Sequence, residues 1–167
     1  MDRPVFQWRE RIEDGAAALL ADWWHSGLIV PAAAVETADG GDWLLTHAEA
    51  RADGALWFPG EMLTGVDDIC AGPVWASSAR EVYPSWLRAQ APMPFHQAHG
   101  HSTALAWDRG LWWAETWVRP SLTVHADLRH IVFRAGGRSI VGIDPGHGVS
   151  PAPVYAPLVL ADGVVRV

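Results

Sequence analysis

The 167-residue sequence contains no lysine and no asparagine, so all 12 of its cationic side chains are arginine. Both missing amino acids have adenine-rich codons, and their absence is typical of a protein from a very GC-rich bacterial genome. Without lysine the chain has no phosphate-binding loop of the lysine type, no Schiff-base lysine and no kinase strand lysine. Without asparagine it has neither a Cys-His-Asn catalytic arrangement nor an N-linked glycan.

Cysteine and long apolar runs are also scarce. The single cysteine, Cys70, excludes an internal disulfide and a multi-cysteine zinc site, and we expect it to be a small buried thiol. No apolar run approaches the roughly 20 residues that a membrane span needs. The N-terminal residues lack a secretory pattern. These absences predict a cytoplasmic protein that does not contact a membrane.

The charge balance is acidic, with 19 Asp and Glu residues, 12 arginines and a formal net charge of −7. Binding to nucleic acid depends on clustered cations, so this balance argues against a nucleic-acid partner. An acidic surface is compatible with a basic protein partner, although it mainly favours solubility. Half of the residues are apolar and 19% are charged, which is ordinary for a globular protein. We expect a single domain over residues 1–167.

Periodicity predicts one helix followed by many short strands. Residues 4–25 are typical of an amphipathic helix, with Pro4 at its first position and apolar residues at helical spacing. From Val35 onward, short β-like runs alternate with turn residues. The clearest runs are Trp43–His47, Ala55–Phe58, Leu122–His125, Arg129–Arg134, Arg138–Ile143 and a last hairpin of Val154–Leu160 with Val164–Val167. The predicted fold is mainly β (α+β), an antiparallel β-barrel or strongly curved sheet with one N-terminal helix packed on it.

The stretch from His96 to Arg119 contains three of the eight histidines and four of the 11 tryptophans. It includes a predicted β-hairpin whose loop is Asp108-Arg109-Gly110, with glycine at the left-handed position. A three-residue loop places Trp107 opposite Leu111, and the register then follows by counting outward. Alternate strand residues share a face. One face of this hairpin is therefore predicted to combine titratable groups with tryptophans.

The residues on that face are the candidate site. Glu115, between two tryptophans, would lose water and so have its pKa raised toward the working pH of a general acid or base. His101 would orient or share the proton, and Arg119 would hold an oxyanion or a substrate carboxylate. The predicted catalytic residues are Glu115, His101 and Arg119, and the predicted ligand-binding residues are Trp107, Trp113, Trp117, His99 and Thr103. In one alternative interpretation, Glu115 and Arg119 simply pair on a solvated sheet face. In another, the tryptophans only form core.

A second alternative treats His99 and His101 as metal ligands, because His-x-His on a strand puts both imidazoles on one face. Ordinary strands often carry such a pair. The spacing also differs from that of cupins, since Leu105 and Ala106 occupy the positions where a glutamate ligand should follow. We therefore expect no metal and no cofactor.

These observations favour a small-molecule-binding β-barrel protein with a Trp-lined cavity for an apolar or aromatic organic ligand. Its enzymatic version is a metal-free acid–base enzyme, such as a cyclase, isomerase or lyase of specialised metabolism. The alternative is a non-enzymatic partner-binding protein, such as a bacterial toxin-neutralising immunity protein. Tryptophans that converge on a cavity would favour the first class, and a flat exposed patch of them would favour the second.

Overall fold

The computed structural model describes residues 18–19, 22–23, 25–26, 32–38, 41–48, 50–52, 76–146, 156–160 and 164–166. The contacts within the chain divide it into two compact units, Met1–Val30 and Pro31–Val167. The single domain expected from the sequence stays a prediction. Cys70 and the strand expected at Ala55–Phe58 lie outside the described residues.

The helix predicted at residues 4–25 falls within the first unit. Its described residues agree with that prediction, since Ala18, Leu19, Asp22, Trp23 and His25 all have helical backbone. The helix gives way to a turn at residue 26, where the Ser26 amide donates to the Asp22 carbonyl. The rest of the predicted helix lies outside the described part of the chain.

Strands dominate the second unit, which confirms the prediction of a mostly β protein. Among the described residues, seven strands form one sheet in the order β6-β7-β8-β3-β2-β1-β9, and two short strands form a separate ribbon, β4-β5. The strands are β1 Ala32–Glu36, β2 Asp42–Thr46, β3 His96–His99, β4 Leu105–Ala106, β5 Leu111–Trp112, β6 Leu122–His125, β7 His130–Ala135, β8 Arg138–Gly142 and β9 Val164–Arg166.

The large sheet is mixed, whereas the sequence predicted an antiparallel one. Strand β3 runs parallel to both of its neighbours, β2 and β8, and every other pair is antiparallel. The chain returns to the sheet after β2 through a long crossover, and such a connection brings a strand in parallel. No pairing of described strands joins β6 to β9, so no closed barrel is found.

The crossover contains a helical segment of 12 residues, Ser78–Ala89. A π-helical turn, Ser78–Val82, leads directly into helix α1, Tyr83–Ala89. Pro84 is the second residue of α1, which directly follows the π-helical turn. Gln90 ends the helix in a left-handed conformation with φ of 51°.

The core lies between this helical segment and the middle of the sheet. Tyr83 stacks on Phe133 with their ring centroids 4.7 Å apart, and Ile131 and Ile140 are buried beside them. Near the start of the crossover, the Ala50 amide donates to the buried Gln97 side chain of β3 at 2.9 Å. The indole of Trp86 donates to the Ala50 carbonyl at 3.0 Å. Residue 50 is thus fixed to both β3 and α1.

The predicted runs Arg129–Arg134 and Arg138–Ile143 form the β7–β8 hairpin, which has a tight turn at Gly136-Gly137. Ala135 pairs with Arg138, and both glycines have positive φ, as a two-residue turn of this kind requires. The last predicted hairpin is wrong, because β9 pairs with β1 and residues 156–160 are not in a strand. Local alternation indicated the β9 strand but carried no information about a partner more than 120 residues away.

No helix in the described part of the chain is both long and apolar enough to cross a membrane. The cytoplasmic location stays a prediction.

Candidate functional site

The β4–β5 hairpin exists, but its register differs by one residue from the predicted one. Ala106 pairs with Leu111, and Leu105 pairs with Trp112, so the loop is residues 107–110. The amides of Arg109 and Gly110 both donate to the Ala106 carbonyl, and Gly110 has φ of 62°. Trp107 therefore lies in the helical turn that these bonds form, whereas the sequence pattern places it in the strand.

The ribbon is also shorter than expected, with only two residues in each strand. The amides of Trp113 and Ala114 both donate to the Ala104 carbonyl, and the ribbon ends there. The Glu115 carbonyl accepts from the amides of Val118 and Arg119, which leads into a 3-10 turn at Arg119–Ser121. The predicted strand face through Glu115, Trp117 and Arg119 is therefore wrong, because these residues are not in a strand.

A cavity of about 300 Å³ lies against this hairpin. It includes three of the predicted ligand-binding residues, Thr103, Trp107 and Trp113. Its other lining residues come from the hairpin and from the loop after β8, and they are Leu105, Ala106, Asp108, Arg109, Pro145 and Gly146. The volume is at the lower end of the range of small-molecule sites, about 300–1,000 Å³. The wall combines indole rings and aliphatic carbons with few polar groups, as an apolar ligand requires.

Hydrogen bonds tie the two sides of the cavity together. The Trp107 indole donates to the Asp144 carbonyl at 3.1 Å, which connects the hairpin to the loop after β8. Arg129 makes the same connection, since it donates to the Pro145 carbonyl and to the Asp108 carboxylate, both at 3.0 Å. The Asp144 carboxylate accepts from the Gly146 amide at 2.7 Å and shapes the loop. The cavity walls are therefore held in place without a ligand.

The two charged residues of the lining differ in their partners. Asp108 is engaged by Arg129, whose side chain is mostly buried. Arg109 lies next to it and is exposed, and no described residue forms a hydrogen bond or an ion pair with its guanidinium. The cavity therefore has an apolar wall with one available cation at its rim.

The predicted catalytic residues do not line this cavity. Glu115 is exposed, and one of its oxygens accepts from the Trp117 indole at 2.6 Å. Arg119 donates to the Ala114 carbonyl at 3.0 Å, and its guanidinium lies over the Trp112 ring. These contacts are local, with partners two to seven residues away. The expected convergence of Glu115, His101 and Arg119 is not seen.

His99 is buried in the core, where only 1% of its surface is exposed. Its Nδ1 donates to the Gly100 carbonyl at 2.7 Å, which leaves Nε2 as an acceptor 3.5 Å from the Tyr83 hydroxyl. Across the parallel pair, its ring lies against Gly142, where an added Cβ would be 2.8 Å from Nε2. The imidazole is enclosed by the core, and His99 does not line the cavity beside the β4–β5 hairpin.

His101 follows β3 and faces His47, which follows β2. Its Nδ1 lies 2.8 Å from the His47 Nε2, and the two ring centroids are 4.6 Å apart. His101 has φ of 59°, so its side chain points away from the direction that strand alternation predicted. Its histidine partner comes from a distant part of the chain, and the sequence pattern did not indicate the pair.

The pairing of His99 with His101 as metal ligands is not supported by this geometry, because one ring is enclosed in the core and the other meets His47. Among the residues that the structure describes, no group of three or more His, Cys, Asp or Glu side chains could hold a metal ion.

Sequence reasoning missed Arg109, Asp108, Pro145 and Gly146 as cavity residues. The sequence pattern predicts only a turn at Asp108 and Arg109, and the signal that points to a site there is the charge of this turn beside Trp107. Pro145 and Gly146 are some 40 residues away along the chain, and no local pattern connects them to the hairpin.

Comparison of the chain with protein-family models, with curated proteins and with solved structures finds no match.

Proposed function

We propose that the protein binds a small aromatic molecule carrying an acidic group in the cavity beside the β4–β5 hairpin. The single observation that carries this proposal is the lining itself, which joins Trp107 and Trp113 to the guanidinium of Arg109, a cation with no partner among the described residues. Indole rings offer large rigid apolar surfaces to a planar ligand. A guanidinium without a carboxylate partner favours an anionic group at one end of that ligand.

The cavity is suited to binding because its walls need little rearrangement. Trp107 and Arg129 already connect the hairpin to the loop after β8. A site that is held in shape before binding loses less conformational entropy when the ligand enters. Trp113 is the adjustable part of the wall, since its ring is half exposed and its indole N–H has no partner among the described residues.

Two matched variants test the proposal. Benzoate and indole-3-acetate serve as acidic aromatic probes, with uncharged indole for comparison, and binding is followed by ligand-observed NMR. We expect Trp113→Ala and Arg109→Gln to weaken binding of the acidic probes by about tenfold or more, the usual worth of a charge-assisted hydrogen bond or a large aromatic contact. Trp117→Ala is the control, because Trp117 is an equally exposed indole that does not line the cavity.

Equal losses in the Trp113 and Trp117 variants, or an absence of saturable binding by both acids, would remove the cavity as the binding site. Glu115→Gln separates binding from catalysis. An enzyme that acts through Glu115 would lose turnover by about 100-fold or more. A binding protein would keep its affinity, since Glu115 lies outside the lining.

The partner-binding alternative is favoured by a different observation. Leu111, Trp113 and Trp117 are 56%, 51% and 44% exposed within seven residues of one another along the chain. Exposed tryptophans are frequent hot spots of protein interfaces. In that case a protein partner retained by the native chain would be lost with a Leu111→Ser/Trp117→Ser double variant. The Arg109→Gln variant, which changes only the cavity rim, would retain it.

A further inference from the structure

A second concave surface lies on the helical segment. It is lined mainly by charged residues, whereas the cavity beside the β4–β5 hairpin, here called the aromatic cavity, is lined mainly by apolar ones. This arginine groove has a volume of about 440 Å³ and is lined by Arg51, Arg80, Glu81, Ser85, Arg88 and Ala89. It shares no residue with the aromatic cavity. Three guanidinium groups and one carboxylate give it an excess of positive charge, although the protein as a whole has a net charge of −7.

The carboxylate in the groove does not neutralise all of these cations. One oxygen of Glu81 accepts from the Ser77 amide at 2.6 Å, and the other lies 3.9 Å from an Arg51 nitrogen. A pair at that distance on the surface contributes little energy. Within the described part of the chain, neither Arg80 nor Arg88 has an ion-pair partner. Two guanidinium groups in the groove are therefore available to an anion.

The backbone beneath the groove is firmly positioned. The Ser85 hydroxyl accepts from the Ala52 amide at 3.0 Å, and the Trp86 indole donates to the Ala50 carbonyl at 3.0 Å. These bonds on either side of Arg51 attach its segment to α1. The arginines thus extend from two chain segments that keep a fixed relation to each other, which reduces the entropic cost of binding between them.

Arg88 is further oriented by an aromatic ring. Its guanidinium carbon lies 5.3 Å from the centroid of the Trp117 ring. An arginine that stacks on an aromatic face keeps the N–H donors in its own plane free for a second partner. Trp117 therefore limits the motion of Arg88 without occupying its hydrogen-bond donors.

We propose that the arginine groove binds the phosphate group of a small phosphorylated molecule. A phosphate monoester carries a charge of about −1.5 to −2 at neutral pH, which matches the two groove arginines, Arg80 and Arg88, that have no ion-pair partner in the described part of the chain. Its three terminal oxygens accept donors from several directions, so both guanidinium groups can bind it at once. A planar carboxylate is satisfied by one bidentate arginine and makes poor use of a second.

The test uses inorganic phosphate and pyrophosphate as probes, with acetate at the same ionic strength as the carboxylate comparison. Binding is followed through the arginine side-chain N–H signals in NMR spectra, and affinities are measured by calorimetry. Pyrophosphate should bind more tightly than phosphate, since its second phosphoryl group meets the further guanidinium groups. Acetate should produce no saturable shift. Binding of acetate as tight as that of phosphate would overturn the assignment to phosphate.

Three variants locate the site. Arg80→Gln and Arg88→Gln should each weaken pyrophosphate binding by about tenfold or more, because each removes charge-assisted hydrogen bonds. Arg134→Gln is the matched control: it changes the net charge equally, but Arg134 lies on β7 and donates to the Thr123 hydroxyl. The control should bind within about twofold of the native chain, as expected for a distant screened charge. All three arginines are exposed, so the variants should keep the native unfolding temperature.

Arg80→Lys adds a test of geometry at constant charge. Lysine keeps the cation but loses the planar fork, so this variant should fall between the native chain and Arg80→Gln. An equal loss of affinity in the Arg134 control would show that binding follows net charge alone and would overturn the proposal. An absence of saturable binding by both phosphate and pyrophosphate would overturn it as well.

Discussion

At the scale of the residue, the imidazole of His99 and the α-carbon of Gly142 are neighbours across the parallel β3–β8 pair. The ring is fixed on one side by its hydrogen bond to the Gly100 carbonyl and on the other by Tyr83. A side chain at residue 142 would enter the space that the ring occupies. Residue 142 is thus a glycine because the imidazole of His99 occupies the space that a side chain would need.

We expect Gly142→Ala to lower the free energy of unfolding by about 1–3 kcal/mol, the usual cost of adding a methyl group to a well-packed core. Its Cβ would lie 2.8 Å from the His99 Nε2 and 3.0 Å from Cε1. The change is measured by urea unfolding. In a His99→Ala background the same substitution should cost much less, because the clashing ring is gone. Equal costs in the two backgrounds would contradict this packing.

Sequence reasoning could identify Thr103, Trp107 and Trp113 as cavity residues even though its register was one residue off. Trp107 begins the hairpin turn and Trp113 directly follows β5, so any tight hairpin at this place brings them near each other. The predicted position of Glu115 required an exact register over several further residue pairs. The ribbon ends before it reaches Glu115. His101 could not be placed because its positive φ breaks the strand alternation.

At the scale of the element, the β7–β8 turn contains two left-handed glycines with different surroundings. Gly136 has φ of 56°, and a Cβ added there would lie 2.9 Å from the Pro92 α-carbon. Gly137 has φ of 81°, and a Cβ there would meet nothing within 4 Å. The hairpin tip is therefore packed against the chain that leads into β3 on one side and open on the other.

This difference makes the two glycines a matched pair for measurement. Gly137→Ala should cost about 1–2 kcal/mol in unfolding free energy, from the left-handed backbone alone. Gly136→Ala should cost that amount and roughly a further 1–3 kcal/mol, because the hairpin tip and the backbone at Pro92 must move apart. Thermal unfolding of the two variants compares them directly. If Gly137→Ala proved as costly as Gly136→Ala, the contact with Pro92 would be irrelevant to stability.

Elements joined by short connections could be predicted from the sequence, and distant pairings could not. β6 matches its predicted bounds, and β7 and β8 each differ by about one residue. Turn glycines and residue alternation are local signals, and they specify such hairpins. Nothing local indicates that β3 enters between β2 and β8, or that β9 lies beside β1. The sheet order follows from burial across the whole molecule.

At the scale of the whole molecule, the division of contacts into Met1–Val30 and Pro31–Val167 has a direct consequence for folding. The described members of the hydrophobic core, including Tyr83, Phe133 and Ile140, all belong to the second unit. The seven-stranded sheet is also built entirely from that unit. A core and sheet supplied by one stretch of chain can form without the other stretch.

We therefore expect residues 31–167, produced alone, to fold into the same sheet and to unfold cooperatively. Circular dichroism should show that the truncation removes mainly helical signal, since the described residues of the first unit are helical. Amide hydrogen exchange provides the sharper measurement, because protected amides in β3, β7 and β8 report the central strand pairs. The full-length chain is the control, and both proteins should protect the same amides. Loss of cooperative unfolding or of protection in β3 would show instead that Met1–Val30 is required for the sheet, as the single domain predicted from the sequence implies.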